Sequence, residues 1–215
     1  MTIYYDTRKL VDECLTFFPQ RETKKIIRKL KEYENKEQYD DFLIEVIIGC
    51  HLRKLGFDAR YNLEVEGKEP DWIIYGEEQI INGVVEVKHI RIDKTTDEET
   101  KVRDKQKSQI ITYWMDDKKD NSIRLIDKLN EKASCYKQLI NKLEVPYLIV
   151  MYIDAKLEFY DDEIEALLNN KENGYFHKNK FVSGVYIIQE ISKFQFDYRF
   201  WKNPFNEHLF IFPNQ

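Results

Sequence analysis

The sequence predicts an α/β protein: a mixed central sheet flanked by helices, in the order helix, three strands, helix, strand. Three observations predict it. Apolar residues between positions 36 and 55 recur at helical spacing. Strand-like runs follow between 57 and 92, with connections too short to hold a crossover helix. A long helical stretch, residues 122–143, then leads into Tyr147-Leu148-Ile149-Val150-Met151-Tyr152-Ile153, apolar enough to lie buried on both faces.

Two short helices are expected first, at 6–18 and 22–33. The helix at 36–55 carries Phe42, Leu43, Val46, Ile47, Cys50 and Leu55 on its periodic face, and Gly56 supplies a C-terminal stop. Residues 57–63 have strand composition. Asp71-Trp72-Ile73-Ile74-Tyr75 is a second short strand, closed by the turn signal Gly76-Glu77-Glu78. A third strand lies within 80–92, clearest at Val84-Val85-Glu86-Val87-Lys88, with Gly83 marking a bulge or turn. Residues 93–107 are highly charged and read as a surface loop. Short connections favour antiparallel pairing of the first three strands, and the helix at 122–143 brings in the fourth strand parallel. Beyond it come a helix at 161–169 and strand-like runs at 182–188, 194–201 and 208–212, expected on the edge of the same sheet.

A chain of 215 residues without repeats or Gly/Ser linkers fits one domain, with a core at 36–154, N-terminal helices over 1–35 and a C-terminal extension over 155–215. No apolar run approaches a membrane span, and residues 1–8 are polar with no apolar signal core behind them, so a cytoplasmic protein with no membrane partner is expected. Cys14, Cys50 and Cys135 are odd in number and far apart, which suits reduced, mostly core thiols rather than a disulfide framework or a zinc knuckle. The net charge of −5 does not advertise a polyanion partner. It hides an asymmetry: residues 101–142 hold eleven basic against six acidic side chains, a local +5 that leaves −10 elsewhere. Such a stripe suits a phosphate-facing surface, and equally a solvated helix face.

The chemistry concentrates in Asp71, Glu86 and Lys88. Side chains alternate along a strand, so Glu86 and Lys88 project from one face and Val85 and Val87 from the other. Antiparallel pairing brings Asp71, at the start of the preceding strand, alongside Glu86. Two adjacent carboxylates repel, and a hard divalent cation resolves the repulsion. Such an ion supplies an activated water and offsets charge on a phosphoryl oxygen, while a nearby lysine holds a phosphate oxygen or positions the water. The trio suits phosphodiester hydrolysis.

Pro70-Asp71 followed by Glu86-Val87-Lys88 resembles the motif of the PD-(D/E)XK nuclease superfamily, the restriction-endonuclease-like fold. The likeness extends over the αβββαβ order of residues 36–154. It implies metal binding by Asp71 and Glu86, with Val87, next to Glu86, also in the metal set, and chemical assistance by Lys88. The cofactor implied is Mg²⁺, with Mn²⁺ as substitute. The family often places an acid on the first core helix. Glu45 fills that place, inside a segment apolar nearly all round where a lone carboxylate is costly to bury. The family also often carries a Gln or Lys on the long helix, which nominates Gln138 first and Lys132 second. Their spacing of six does not put them on one helix face. His89 should point away from Lys88 as a hydrogen-bonded core histidine, and Tyr186, Phe200 and Trp201 read as core rather than base-stacking rings.

The resulting expectation is a Mg²⁺-dependent nuclease, acting on DNA before RNA in restriction, defence or repair, with a homodimer suited to cutting both strands of a duplex. Two other classes compete: a nucleic-acid-binding or interaction module that keeps the fold without cleaving, and an unrelated phosphohydrolase of small nucleotides.

Overall fold

The computed structural model describes residues 11–91, 121–154, 157, 159–192 and 195–212. A helical turn at 11–15 is followed by α1 (Gln20–Glu32) and α2 (Lys36–Lys54), then β1 (Asp58–Tyr61), β2 (Trp72–Tyr75) and β3 (Ile81–Ile90). After them come α3 (Asn121–Leu143), β4 (Tyr147–Ile153), α4 (Asp161–Asn169), α5 (Tyr175–Lys178), β5 (Gly184–Ser192) and β6 (Gln195–Lys202). The expected loop at 93–107, and the basic stripe as far as Lys119, lie outside the described residues.

Local chemistry sets the borders of α2. Asn35 caps its start, its side chain accepting from the Glu37 amide at 2.8 Å. Gly56, with φ of +96°, turns the chain out of the helix in a conformation that side chains resist.

One six-stranded sheet runs in the order β1-β2-β3-β4-β5-β6. The first three strands pair antiparallel, as the short connections required. α3 then returns the chain so that β4 joins β3 in parallel; β5 is parallel to β4 and β6 antiparallel to β5. The β2–β3 register skips Asn82, a bulge beside Gly83. β4 is buried along its whole length. Each face of the sheet has its own core. α2, Val85, Val87, Leu148 and Val150 share one; Val84, Ile149, Met151 and the Leu125/Leu129/Ala133 stripe of α3 share the other.

The C-terminal segment differs from expectation. Residues 208–212 form no strand. Phe210 and Phe212 alternate as strand residues do, because an extended chain puts both rings on one side. Here that side lies over the sheet: Phe210 packs on Phe57 with centroids 5.1 Å apart, and Phe212 on Phe200 at 5.1 Å. The Ser183 hydroxyl donates to the His208 carbonyl at 2.6 Å and anchors the segment. β5 also begins two residues later than expected, at Gly184. Cys14 and Cys50 are buried and free, whereas Cys135 is exposed on α3. Among the described residues no helix is long and apolar enough to cross a membrane.

Candidate active site

β3 outruns its neighbour. β2 begins at Trp72 opposite Val85, so from Glu86 onward β3 has no strand on that side among the described residues. The Val84 amide bonds to the Pro146 carbonyl, and the Asp154 amide bonds to the Ile90 carbonyl. Even-numbered residues of β3 therefore aim their main chain at β4, and Val87, His89 and Arg91 aim theirs at the side that has no strand among the described residues. Asp71, one residue ahead of β2, continues the ladder there with its side chain. Its Oδ2 accepts from the Val87 amide at 2.8 Å, and its own amide donates to Glu86 Oε1 at 2.9 Å. The two acids are thus clasped reciprocally, main chain to side chain.

Trp72 fixes this corner. Its indole Nε1 donates to the Glu45 carbonyl at 3.1 Å, and its ring lies against Gly49 of α2, where an added Cβ would stand 2.0 Å from it. Only glycine admits the ring so close, and the neighbouring Asp71 is set accordingly.

Glu86 is fully buried, and its Oε2 lies 2.5 Å from Lys132 Nζ. The same ammonium is 3.4 Å from Asp71 Oδ2. Burial, then the charge of Asp71, pushes the Glu86 carboxyl up to about 7, with Lys132 restraining it. Burial works against the Lys132 ammonium, but Asp71 and Glu86 outweigh it and hold its pKa above the ordinary lysine value. Glu45 joins the same field from α2. Burial first, and Asp71 second, raise it to about 8; the Tyr61 hydroxyl donates to it at 3.4 Å. Tyr136, one turn beyond Lys132, has its hydroxyl raised above the ordinary tyrosine value by burial and by Glu86, and donates to the Glu69 carbonyl at 3.2 Å. The Tyr147 hydroxyl secures the Lys132 turn by donating to its carbonyl at 3.1 Å.

The structure brings together Asp71, Glu86 and the Val87 main chain, with Glu45 within their electrostatic field. It does not bring in Lys88. That side chain shares the Glu86 face but pairs with Glu131 at 3.1 Å. Hydrogen bonds from Lys128 and Lys88 draw Glu131 down to about 2. Gln138 is a correction. It is exposed, and six residues from Lys132 place it about 240° round the helix. Lys132 holds the position it was nominated for, and Tyr136 shares that face at the i, i+4 spacing that could have revealed both. His89 points away from Lys88 as expected, bonded through Nδ1 to Asp41 at 3.1 Å and through Nε2 to Asp154 at 2.6 Å. Tyr186 lies in the core, as expected, and Phe200 and Trp201 pack against it. Among the described residues, no three His, Cys, Asp or Glu side chains converge as they stand on a point able to coordinate a metal. Lys132 occupies the space between the two clasped acids. A cleft of about 470 Å³ opens beside them, between α2 and α3, along Val87 to Arg91.

No family model and no curated protein matches the sequence. Among solved structures, the chain is similar to one from a CdiA-CT/CdiI toxin and immunity complex from Burkholderia pseudomallei, at 15% identity, with 80% of this chain and 91% of that chain covered and a TM-score of 0.39, a likeness too slight to carry an argument about activity.

Proposed function

We propose that the chain is a metal-dependent nuclease of the PD-(D/E)XK type, with a restriction-endonuclease-like core, hydrolysing phosphodiester bonds of nucleic acid, DNA before RNA. The observation that carries this reading is the reciprocal clasp of Asp71 and Glu86 at the edge of a cleft, with a cation already between them. The donor set fits a hard divalent ion. Mg²⁺ commonly takes one or two carboxylates and fills its shell with water. Asp71 and Glu86 would hold the ion, with Glu45 and the Val87 carbonyl beside it; bound there, it supplies an activated water and charge stabilisation at a phosphoryl oxygen.

The chain's own residues do the rest. Lys132 balances the acid pair when no other cation is present and must yield its place to one. Lys88, on the Glu86 face, supplies an ammonium to a non-bridging phosphate oxygen once it leaves Glu131. Trp72, seated on Gly49, keeps Asp71 in register with Glu86 throughout.

Incubation of the pure protein with plasmid DNA and with RNA, in Mg²⁺ or Mn²⁺, tests the reading. Cleavage is expected from the wild type and not from Asp71→Asn or Lys88→Ala. Cleavage that survives either substitution sinks it. One observation favours a second reading, a nucleic-acid-binding module without cleavage: Lys132 already neutralises the acids, and Lys88 is tied to Glu131. Titration calorimetry with Mn²⁺ separates the two, because a protein that keeps Lys132 in place takes up no ion.

A further inference from the structure

We propose that Cys14 and Cys50 are a redox pair, which a hydroperoxide oxidises to a disulfide that staples the N-terminal helical turn to α2. The pair stands apart from the acid cluster, and the inference does not depend on the nuclease reading.

The two cysteines are 36 residues apart in sequence, and folding brings them into contact. The helical turn at 11–15 presents Cys14, and the C-terminal part of α2 presents Cys50. The Cys14 thiol donates a hydrogen bond to the Cys50 sulfur. Each residue is only 2% exposed, and both belong to the core that α2 shares with the sheet. A free cysteine in a core ordinarily behaves as a small hydrophobe. Here each faces another sulfur, the partner that two-electron oxidation to a disulfide requires.

The surroundings favour the reaction. Lys54, one turn beyond Cys50, sets its ammonium 5.0 Å from the ring centroid of Phe17, one turn beyond Cys14. That cation acts on both thiols and favours the thiolate. The bond from Cys14, with help from Lys54, holds the Cys50 thiol below its ordinary value against the cost of burial. The same bond, then burial, pushes the Cys14 thiol up. Cys50 is therefore the nucleophile and Cys14 the resolving thiol. As thiolate, Cys50 attacks one oxygen of the peroxide and releases hydroxide, leaving a sulfenic acid. The Cys14 sulfur then attacks Cys50, expels the second hydroxide and gives up its proton. Together the two thiols lose two electrons and two protons, and hydrogen peroxide becomes two waters. Because both sulfurs are covered, the oxidant must be small or wait for local opening of the 11–18 segment. The new bond closes a loop around α1. It also fixes the segment that carries Phe18, whose ring stacks on Trp72 with centroids 5.5 Å apart.

Cys135, exposed on α3, would react on its own, so the test uses the full chain carrying Cys135→Ser. The protein is treated with hydrogen peroxide, unfolded in guanidinium with N-ethylmaleimide, and weighed by mass spectrometry. Two maleimide adducts are expected before treatment and none after, with a Cys14–Cys50 cross-linked peptide in the digest. The melting temperature should rise by about 5–10 °C and fall back with dithiothreitol. With Cys14→Ala added, peroxide should leave a sulfenic acid on Cys50 that dimedone traps, and no rise in melting temperature. Two adducts that persist after peroxide, sulfinic acids in place of the cross-link, or a disulfide between chains overturns the pair. A cross-link without a gain in melting temperature, or an equal gain in the Cys14→Ala protein, overturns the staple.

Discussion

Replacing Lys132 with Met probes the centre of the site. The ammonium lies 2.5 Å from a fully buried Glu86 and 3.4 Å from Asp71, and is itself largely covered. At an effective dielectric of about 20, charges at those separations attract by roughly 5–7 kcal/mol, most of which offsets the cost of desolvating the three groups. The net loss depends on pH. Glu86 titrates near 7 in the folded protein against an ordinary value of 4.5, so below about pH 7 the wild type also carries a proton there. At about pH 6 the variant should lose only a charged hydrogen bond, roughly 1.5 kcal/mol. Above about pH 7 the wild-type carboxylate ionises against Lys132, whereas Met offers nothing. The difference should grow by about 1.4 kcal/mol per pH unit until the variant's own Glu86 ionises. Urea unfolding of both proteins at several pH values measures this. A stability difference that stays flat from pH 6 to 8 would refute the buried Glu86–Lys132 pairing. Mn²⁺ should raise the melting temperature of the variant more than that of the wild type, since the competing ammonium is gone.

Gly49→Ala should cost about 1–3 kcal/mol, because its Cβ would press into the Trp72 ring; an unchanged urea midpoint and unchanged tryptophan emission would contradict the packing. His89 bonds to Asp154 and Asp41, which outweigh burial and hold the imidazolium above its ordinary value. Its contribution, about 1.5–3 kcal/mol, should be whole below about pH 6.5 and be lost as pH rises through the folded value, so His89→Gln should be less stable at low pH and converge on the wild type at high pH. Parallel melting-temperature profiles for the two proteins would count against that assignment.

Much of this arrangement was readable from residue order. The uninterrupted apolar run of β4 announced its central place, and the short links around β2 dictated antiparallel pairing. Those pairings put Asp71 beside Glu86 by strand parity alone. The side chains of α3 were harder to place. Its phase follows from the stripe Leu125, Leu129, Ala133 and Ile140, which sets Lys132 and Tyr136 near the sheet and Gln138 away from it. The capture of Lys88 by Glu131 depends on the gap between α3 and β3, which no local pattern encodes. The extended segment carrying Phe210 and Phe212 misled for a related reason, since alternation reports an extended backbone and not what that backbone lies against.

The clasp between Asp71 and Glu86 has a consequence for how relatives of this chain should be judged. The two acids stand in for the rungs a longer β2 would have provided, so they serve the architecture whether or not any bond is ever cut. Under the proposed function, a descendant that abandoned hydrolysis would still be under pressure to retain both. Finding the pair in another sequence therefore testifies to a shared hairpin; under the proposed function, it is a lysine at the position of Lys88 that would mark surviving chemistry.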